Sequence, residues 1–285
     1  MNPRVFKKHA LPLFLEGIVH ALRVEDDQSK ARGIYENTKK SELFDKKLGM
    51  YLVNADLSKE PEEIGRASIF PPGWLENQSV WLHMEYKFIV ELLRCGLYKE
   101  FYENFKSTLI PFLEPRRYGR SILENSSFIV SSAHEDASLH GRGFVARLSG
   151  STAEFLHIWL LMNAGEKPFY LDKKGQVNLI LKPVLPGWLF TQKESTVDFL
   201  DKKGEWQEVK IPKDTYAFNF LGSTLVVYHN LNRRDTFGSH PAVTQEIILT
   251  YPGQKQITIA SQNIPSDYAL DVRRGKVERI DVFLE

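Results

Sequence analysis

Apolar residues recur at helical spacing through the first half of the chain and at strand spacing through the second. Phe6, Ala10, Leu13, Phe14, Ile18 and Leu22 form one stripe, Val80, Met84, Phe88 and Leu92 a second, and Phe101, Phe105 and Leu109 a third. Steps of three or four residues keep side chains on one face of a helix, so helices are predicted there. Between about Gly165 and Gly175 the period changes. VNLILKPVLPGWLF, STVDFL, EWQEVKI, TYAFNFLGSTLVVYHN, TQEIILTYP, KQITIA and KVERIDVFL are short and rich in β-branched and aromatic residues, and KKG, KKGE, YPGQ and RRGK turns punctuate them. That pattern predicts a β-sandwich or jelly roll. The fold class expected is therefore α plus β in two domains, a helical one over 1–168 and a strand-rich one over 169–285, joined through AGEKPFYLDKKG.

Two long irregular stretches interrupt the helical half, GRASIFPPGWLENQSVWLH and PFLEPRRYGRSILENSSFIVSSAHEDASLHGRGF. The second far exceeds an ordinary helix connection, and loops of that length commonly form sites or lids. They carry Arg66, Glu76, Asn77, His83, Arg120 and Glu124, then Asn125, His134, His140 and Arg142, among Trp74, Trp81, Tyr118 and Phe128. Aromatic planes beside carboxylates, amides and guanidinium groups suit sugars, whose apolar faces stack while their hydroxyls need paired partners. The alternative is that the aromatics are core and the charges their solvated edge.

RLSGSTAEFLHIWLLM, Arg147 to Met162, places Gly150 at the mouth of a predicted helix, with Ser151 and Glu154 spaced as a capping box. The first turn of a helix leaves N–H groups without intrahelical acceptors at the positive end of its dipole, and a glycine lets a ligand approach the backbone. Phosphate is the expected guest. Equally, Ser-Gly-Ser caps a buried helix and does nothing else.

Composition excludes some classes. With 285 residues, 42% of them hydrophobic and 12% aromatic, the chain can bury two cores. Thirty-seven basic residues against thirty-six acidic ones leave a net charge of +1, so no overall field draws nucleic acid or an anionic membrane. An anion site must be local. The single cysteine, Cys95, excludes an internal disulfide framework, suits a reducing compartment and reads as a core residue of IVELLRCGLY. Lys7 and Lys8 precede LPLFLEGIVHAL as in a targeting signal, but Glu16 and His20 break the apolar run. No stretch of about twenty apolar residues follows, and a cytoplasmic protein is expected. His134, His140, Glu135 and Asp136 hold metal-ligand side chains without a spacing that fixes a geometry, so no metal is assigned.

PPGWLENQSVWLH, YGRSILENSSF, RLSGSTAEF and LKPVLPGWLF, in that order from about Leu48 onward, resemble the inverting disaccharide phosphorylases of the cellobiose and chitobiose type, glycoside hydrolase family 94. The resemblance implies part of an (α/α)6 helical barrel followed by a jelly-roll domain. It also implies attack of inorganic phosphate on a β-linked disaccharide to release an α-sugar 1-phosphate. Phosphate is a co-substrate, and no cofactor is implied. Carried over by motif, His83, Ser149 and Gly150 bind phosphate, with Asn77 six residues before the histidine, and Glu76 meets sugar hydroxyls. Asn77, Trp74 and Glu124 of the long loops are assigned to the sugar as well, with His140 and Arg142 as replacement contacts where the family pattern is lost. Inverting phosphorolysis needs one carboxylic acid and no general base, since phosphate is already a nucleophile. In the family that acid is an aspartate of a Trp-Asn-Asp type motif, absent from this chain. The sequence therefore resembles the C-terminal part of such an enzyme. Its expected partners are a disaccharide or sugar phosphate, an N-terminal half on another chain, and a second copy in a homodimer. Leu75 replaces a common lysine, and Val130 or Ser131 stands where a glutamine meets the donor sugar, so the sugar is open. A noncatalytic sugar or phosphate binding module and a structural remnant are the alternative readings.

Overall fold

A computed structural model of the chain describes residues 10–145, 149–201 and 203–285, with the backbone alone of Ser149. It is α plus β. The chain divides into two units, Met1–Ile158 and Trp159–Glu285, and the division falls inside the helix Ser149–Ala164.

The first unit contains α1 (Leu15–Arg23), α2 (Gln28–Lys40), α3 (Leu82–Arg94), α4 (Tyr98–Thr108), the single turn α5 (Pro115–Tyr118) and the start of α6 (Ser149–Ala164). The stripes on α3 and α4 lie mostly where the periodicity predicts them, with Phe88, Leu92, Phe101 and Phe105 buried, but Val80 falls in a two-residue strand ahead of α3 and Leu109 is the C-cap of α4. The first stripe differs. Phe14 is extended and bridges Asn54, which delays the helix to Leu15 and turns Leu15, Val19 and Leu22 inward. Phe6 lies outside the described residues. Helix α2 has no apolar stripe to betray it. It starts because the Asp27 carboxylate accepts the N–H groups of Ser29 and Lys30, and it buries Ala31, Tyr35 and Thr38.

Very short strands organise the long loops. β1 (Phe44–Asp45) pairs with β2 (Met50–Tyr51), while β3 (Val80–Trp81), β4 (Phe128–Ile129) and β5 (Gly143–Phe144) form a second sheet. Register sets Trp81 opposite Phe128 and Phe128 opposite Phe144, so one face is a row of rings. Asp45, almost without accessible surface, ties the turn after β1 to the later loop by accepting the backbone N–H and hydroxyl of Ser132 at 2.7 and 2.8 Å.

The second unit begins with the end of α6. It contains β6 (Phe169–Leu171), β7 (Val177–Ile180), β8 (Ser195–Leu200), β9 (Trp206–Ile211), β10 (Thr215–Phe220) and β11 (Thr224–His229). Then come β12 (Thr244–Thr250), β13 (Gln256–Ile259), β14 (Asn263–Ile264), α7 (Ser266–Arg273) and β15 (Arg279–Leu284). The main sheet runs β10-β11-β15-β12-β13, the second β14-β7-β6, and β8 pairs with β9 alone. Only β11 and β15 pair in parallel among these described strands. The predicted turns form, with Gly175, Gly204, Gly253 and Gly275 at positive φ. The predicted VNLILKPVLPGWLF strand stops at Ile180, since Pro183 and Pro186 cannot donate to a ladder. Phe218, Val226, Tyr228, Ile280 and Val282 are buried on one face of the main sheet. Its other face carries Ala217, Leu225 and Val227, which pack against Val197, Phe199, Val209 and Ile211 of the β8–β9 hairpin, beside the charged Arg279 and Asp281.

Candidate functional site

The Pro71–Ser79 segment is held in a strained shape. Gly73, Leu75 and Gln78 have φ of 80°, 48° and 52°. At Gly73 glycine is required twice over, because a Cβ would also stand 2.5 Å from the backbone nitrogen of His134. At Leu75 and Gln78 left-handed backbone costs about 1–2 kcal/mol per residue. Two asparagines impose it. Asn54 donates to the Glu76 carbonyl at 2.6 Å and accepts the Gln78 N–H at 2.8 Å. Asn77 accepts the Leu57 N–H at 3.1 Å and donates to the Phe70 carbonyl at 2.8 Å, and the Ser79 hydroxyl donates to the Leu75 carbonyl. Strain that the surroundings enforce is typical of functional loops.

That loop assigns different work to its residues. Asn77 has no accessible surface and shapes the backbone. Glu76 is partly exposed and takes a two-pronged ion pair from Arg66 at 2.6 and 3.2 Å. Trp74 packs edge-on to Phe128 at 5.1 Å and tilted against Phe144 at 4.8 Å, and its third ring neighbour is His134 at 5.8 Å. His140 reaches the His134 carbonyl with Nε2 at 2.7 Å, and its Nδ1 is 2.7 Å from the Lys47 ammonium. Arg142 is exposed beside Gly119. Glu124, exposed too, pairs with Arg120 at 3.2 Å. Val130 and Ser131 have no accessible surface.

His83 and Gly150 are brought together. His83 is the second residue of α3, directly after β3, and Gly150 is the second residue of α6. A Cβ on Gly150 would lie 2.7 Å from the His83 Nδ1 and 2.9 Å from Cε1, so the imidazole rests on the bare backbone. The opposite ring nitrogen, Nε2, is 3.7 Å from the Glu154 carboxylate, and the second Glu154 oxygen is 3.5 Å from the His157 Nδ1. Arg94 donates to the His157 Nε2 at 3.1 Å, which leaves the His157 proton on Nδ1, facing Glu154. Arg94 is itself held by Glu91, a carboxylate with no accessible surface that also receives Arg23 at 2.6 Å. Burial and the Lys87 charge lower the His83 titration below the usual imidazole range, with Glu154 opposing, so the ring is neutral at pH 7.

The start of α6 corrects one expectation. Ser151 lies inside the helix, two residues past its first, so Ser151 and Glu154 are not a capping box. Glu154 meets histidines from α3 and from its own helix instead. The Ser149 hydroxyl lies outside the described residues. Among those described, no group of three or more His, Cys, Asp and Glu residues is placed to hold a metal, and no helix is long and apolar enough to cross a membrane.

The contact between imidazole and glycine has a measurable consequence. Gly150→Ala is expected to cost about 1–3 kcal/mol by overpacking, partly offset by about 1 kcal/mol of helix propensity. In a His83→Ala background the clash is gone and the same change should stabilise. Urea unfolding of the four proteins should therefore yield a coupling of about 1 kcal/mol or more. Additive effects would mean that the ring does not rest on Gly150.

No known protein family is matched by this chain, and a search of curated proteins finds no significant match either.

Proposed function

We propose that this chain is the C-terminal portion of an inverting glycoside phosphorylase, part of an (α/α)6 barrel followed by a jelly roll. It releases an α-sugar 1-phosphate from a β-linked disaccharide and works with a second segment that supplies the general acid. The observation that carries the reading is the His83 imidazole against Gly150 at the mouth of α6. The positive end of the helix dipole favours an anion there. The Glu154 carboxylate stands 3.7 Å from Nε2, and a phosphate bound beside the Gly150 N–H favours a second proton on the ring, so that Nδ1 donates to a phosphate oxygen. Ser149 joins the phosphate site by the motif resemblance. A ring that gains a proton on binding contributes charge as well as direction, and backbone dipoles add to the clamp. Glu76, Trp74, Glu124, His140 and Arg142 are assigned to the sugar, with Asn77 shaping the loop that presents the first two.

Exposed apolar surface supports a missing partner segment. From Ile158 to Ala164 helix α6 is apolar except for Asn163, and Leu156, Trp159 and Leu160 are 60%, 37% and 38% exposed. Large apolar side chains gathered at a surface mark a face that another surface covers. Without the acid, the same pocket is a binding module for phosphate or a sugar phosphate, and the absence of a Trp-Asn-Asp motif within 1–285 favours that second reading.

Coexpression with a segment bearing the Trp-Asn-Asp acid should yield α-glucose 1-phosphate from a β-glucosyl disaccharide only when phosphate is present. His83→Ala should lower the rate by about 100-fold, the usual effect of deleting one electrostatic donor. Calorimetry with phosphate separates the alternatives. Heats that vanish in His83→Ala without any turnover leave the binding module, and equal heats for both proteins remove the site altogether.

A further inference from the structure

The strand-rich unit contains a cavity of about 560 Å³, within the range of about 300–1,000 Å³ usual for small-ligand sites. Leu225, Arg279, Thr250 and Gln256 stand in one register row across β11, β15, β12 and β13 and line one side. The β8–β9 hairpin lines the other with Phe199, Gln207 and Val209. Three connections at this end of the sheet close the rim, with Lys203 after β8, Gln254 after β12 and Glu278 just ahead of β15.

The chemistry of the lining narrows the guest. Arg279 is already engaged, donating to Asp281 at 2.7 and 2.6 Å, and His229 meets the same carboxylate at 2.7 Å. Burial pushes the Asp281 carboxyl upward, but those hydrogen bonds outweigh it and hold it below the usual range, so the pair stays charged and mutually neutralised. Asp201 is occupied by the N–H groups of Lys203 and Glu205 and by the Gln207 amide. Acids and bases nearly balance, which gives a strongly charged anion little to hold. Apolar Phe199, Val209 and Leu225 line the cavity beside the exposed polar residues Gln254, Gln256 and Glu278. Apolar C–H faces need the first, and hydroxyls that both donate and accept need the second.

We propose that this cavity binds a neutral saccharide, with its ring face on Phe199, Val209 and Leu225 and its hydroxyls on Gln254, Gln256 and Glu278. The site lies wholly within the strand-rich unit and does not depend on His83 or on phosphorolysis. NMR titration of the full chain with cellobiose, maltose and lactose tests it. At least one disaccharide should bind saturably, at least tenfold more weakly to Glu278→Ala and to Gln256→Ala, both exposed positions, and equally well to His83→Ala. No binding of any of the three would overturn the proposal, as would affinity unmoved by Glu278→Ala and Gln256→Ala, or binding lost only with His83→Ala.

Discussion

Gly187→Ala is expected to destabilise the strand-rich unit more than any other single methyl addition considered in this chain. Its new Cβ would lie 1.8 Å from the Arg233 carbonyl oxygen and 2.8 Å from the carbonyl carbon. Backbone cannot swing aside as a side chain can, and this backbone is anchored. Asn230 donates to the Arg234 carbonyl at 2.7 Å and accepts its N–H at 3.2 Å, while the Thr236 N–H reaches the Leu185 carbonyl at 2.9 Å. The Gly187 N–H is tied as well, donating to the Asp235 carboxylate at 2.8 Å. Relief of the clash must break this set. Overpacking costs about 1–3 kcal/mol, and a hydrogen bond to a charged acceptor adds about 1.5–3 kcal/mol. Against a total of about 5–15 kcal/mol, that should lower the melting temperature by about 10 °C or more. A variant melting within about 2 °C of the parent would show that the close approach does not exist.

Glu85 should make the first unit less stable as pH rises. It has no accessible surface, and accepts the Tyr51 N–H at 2.9 Å and the Thr108 hydroxyl at 3.0 Å. Burial pushes its carboxyl up to about 8, with those two hydrogen bonds opposing. In the unfolded chain a glutamate titrates near 4.3. Between those values the native state holds a proton that the unfolded state has released, so its stabilising effect is complete at acid pH and is lost as pH climbs through about 8. The slope is at most about 1.4 kcal/mol per pH unit. Glu85→Gln keeps the shape, with its carbonyl for Tyr51 and its amide for Thr108, but cannot ionise. Unfolding free energies measured from pH 5 to 9 should show variant minus parent rising by about 4 kcal/mol at most; parallel curves would mean that Glu85 is not held neutral. His83 acts in the opposite direction. Its lowered titration contributes stability above about pH 6.5 that is lost as pH falls through its folded value.

Legibility differed sharply between elements. Helices α3 and α4 and the strands β8 to β13 and β15 could be read because each is long enough to repeat an apolar period. Helix α2 could not, since a cap and only three inward residues, Ala31, Tyr35 and Thr38, form it without a stripe. Strands β3, β4 and β5, two residues each, are too short for any period, yet their register gathers the aromatic row. Gly150 at a helix mouth was legible from local chemistry. Glu154 was misread, because a glutamate three residues after a serine looks the same whether it caps a helix or faces another one. Asn54, which shares with Asn77 the work of straining the Leu75–Gln78 backbone, carried no signal at all.

By itself the sequence determined the α plus β character, the turn positions and the helix that begins near Gly150, because helical and strand periods and glycine backbone freedom are properties of neighbouring residues. Tertiary structure alone decided that His83 lies on Gly150, that Glu154 and Arg94 orient the two histidines, that Glu85 is sealed from water, and that four strands align one row of side chains beneath the β8–β9 hairpin. Those outcomes depend on distance and burial between segments remote in the chain, and no local pattern encodes the dielectric or the neighbours that a side chain meets once the chain has packed.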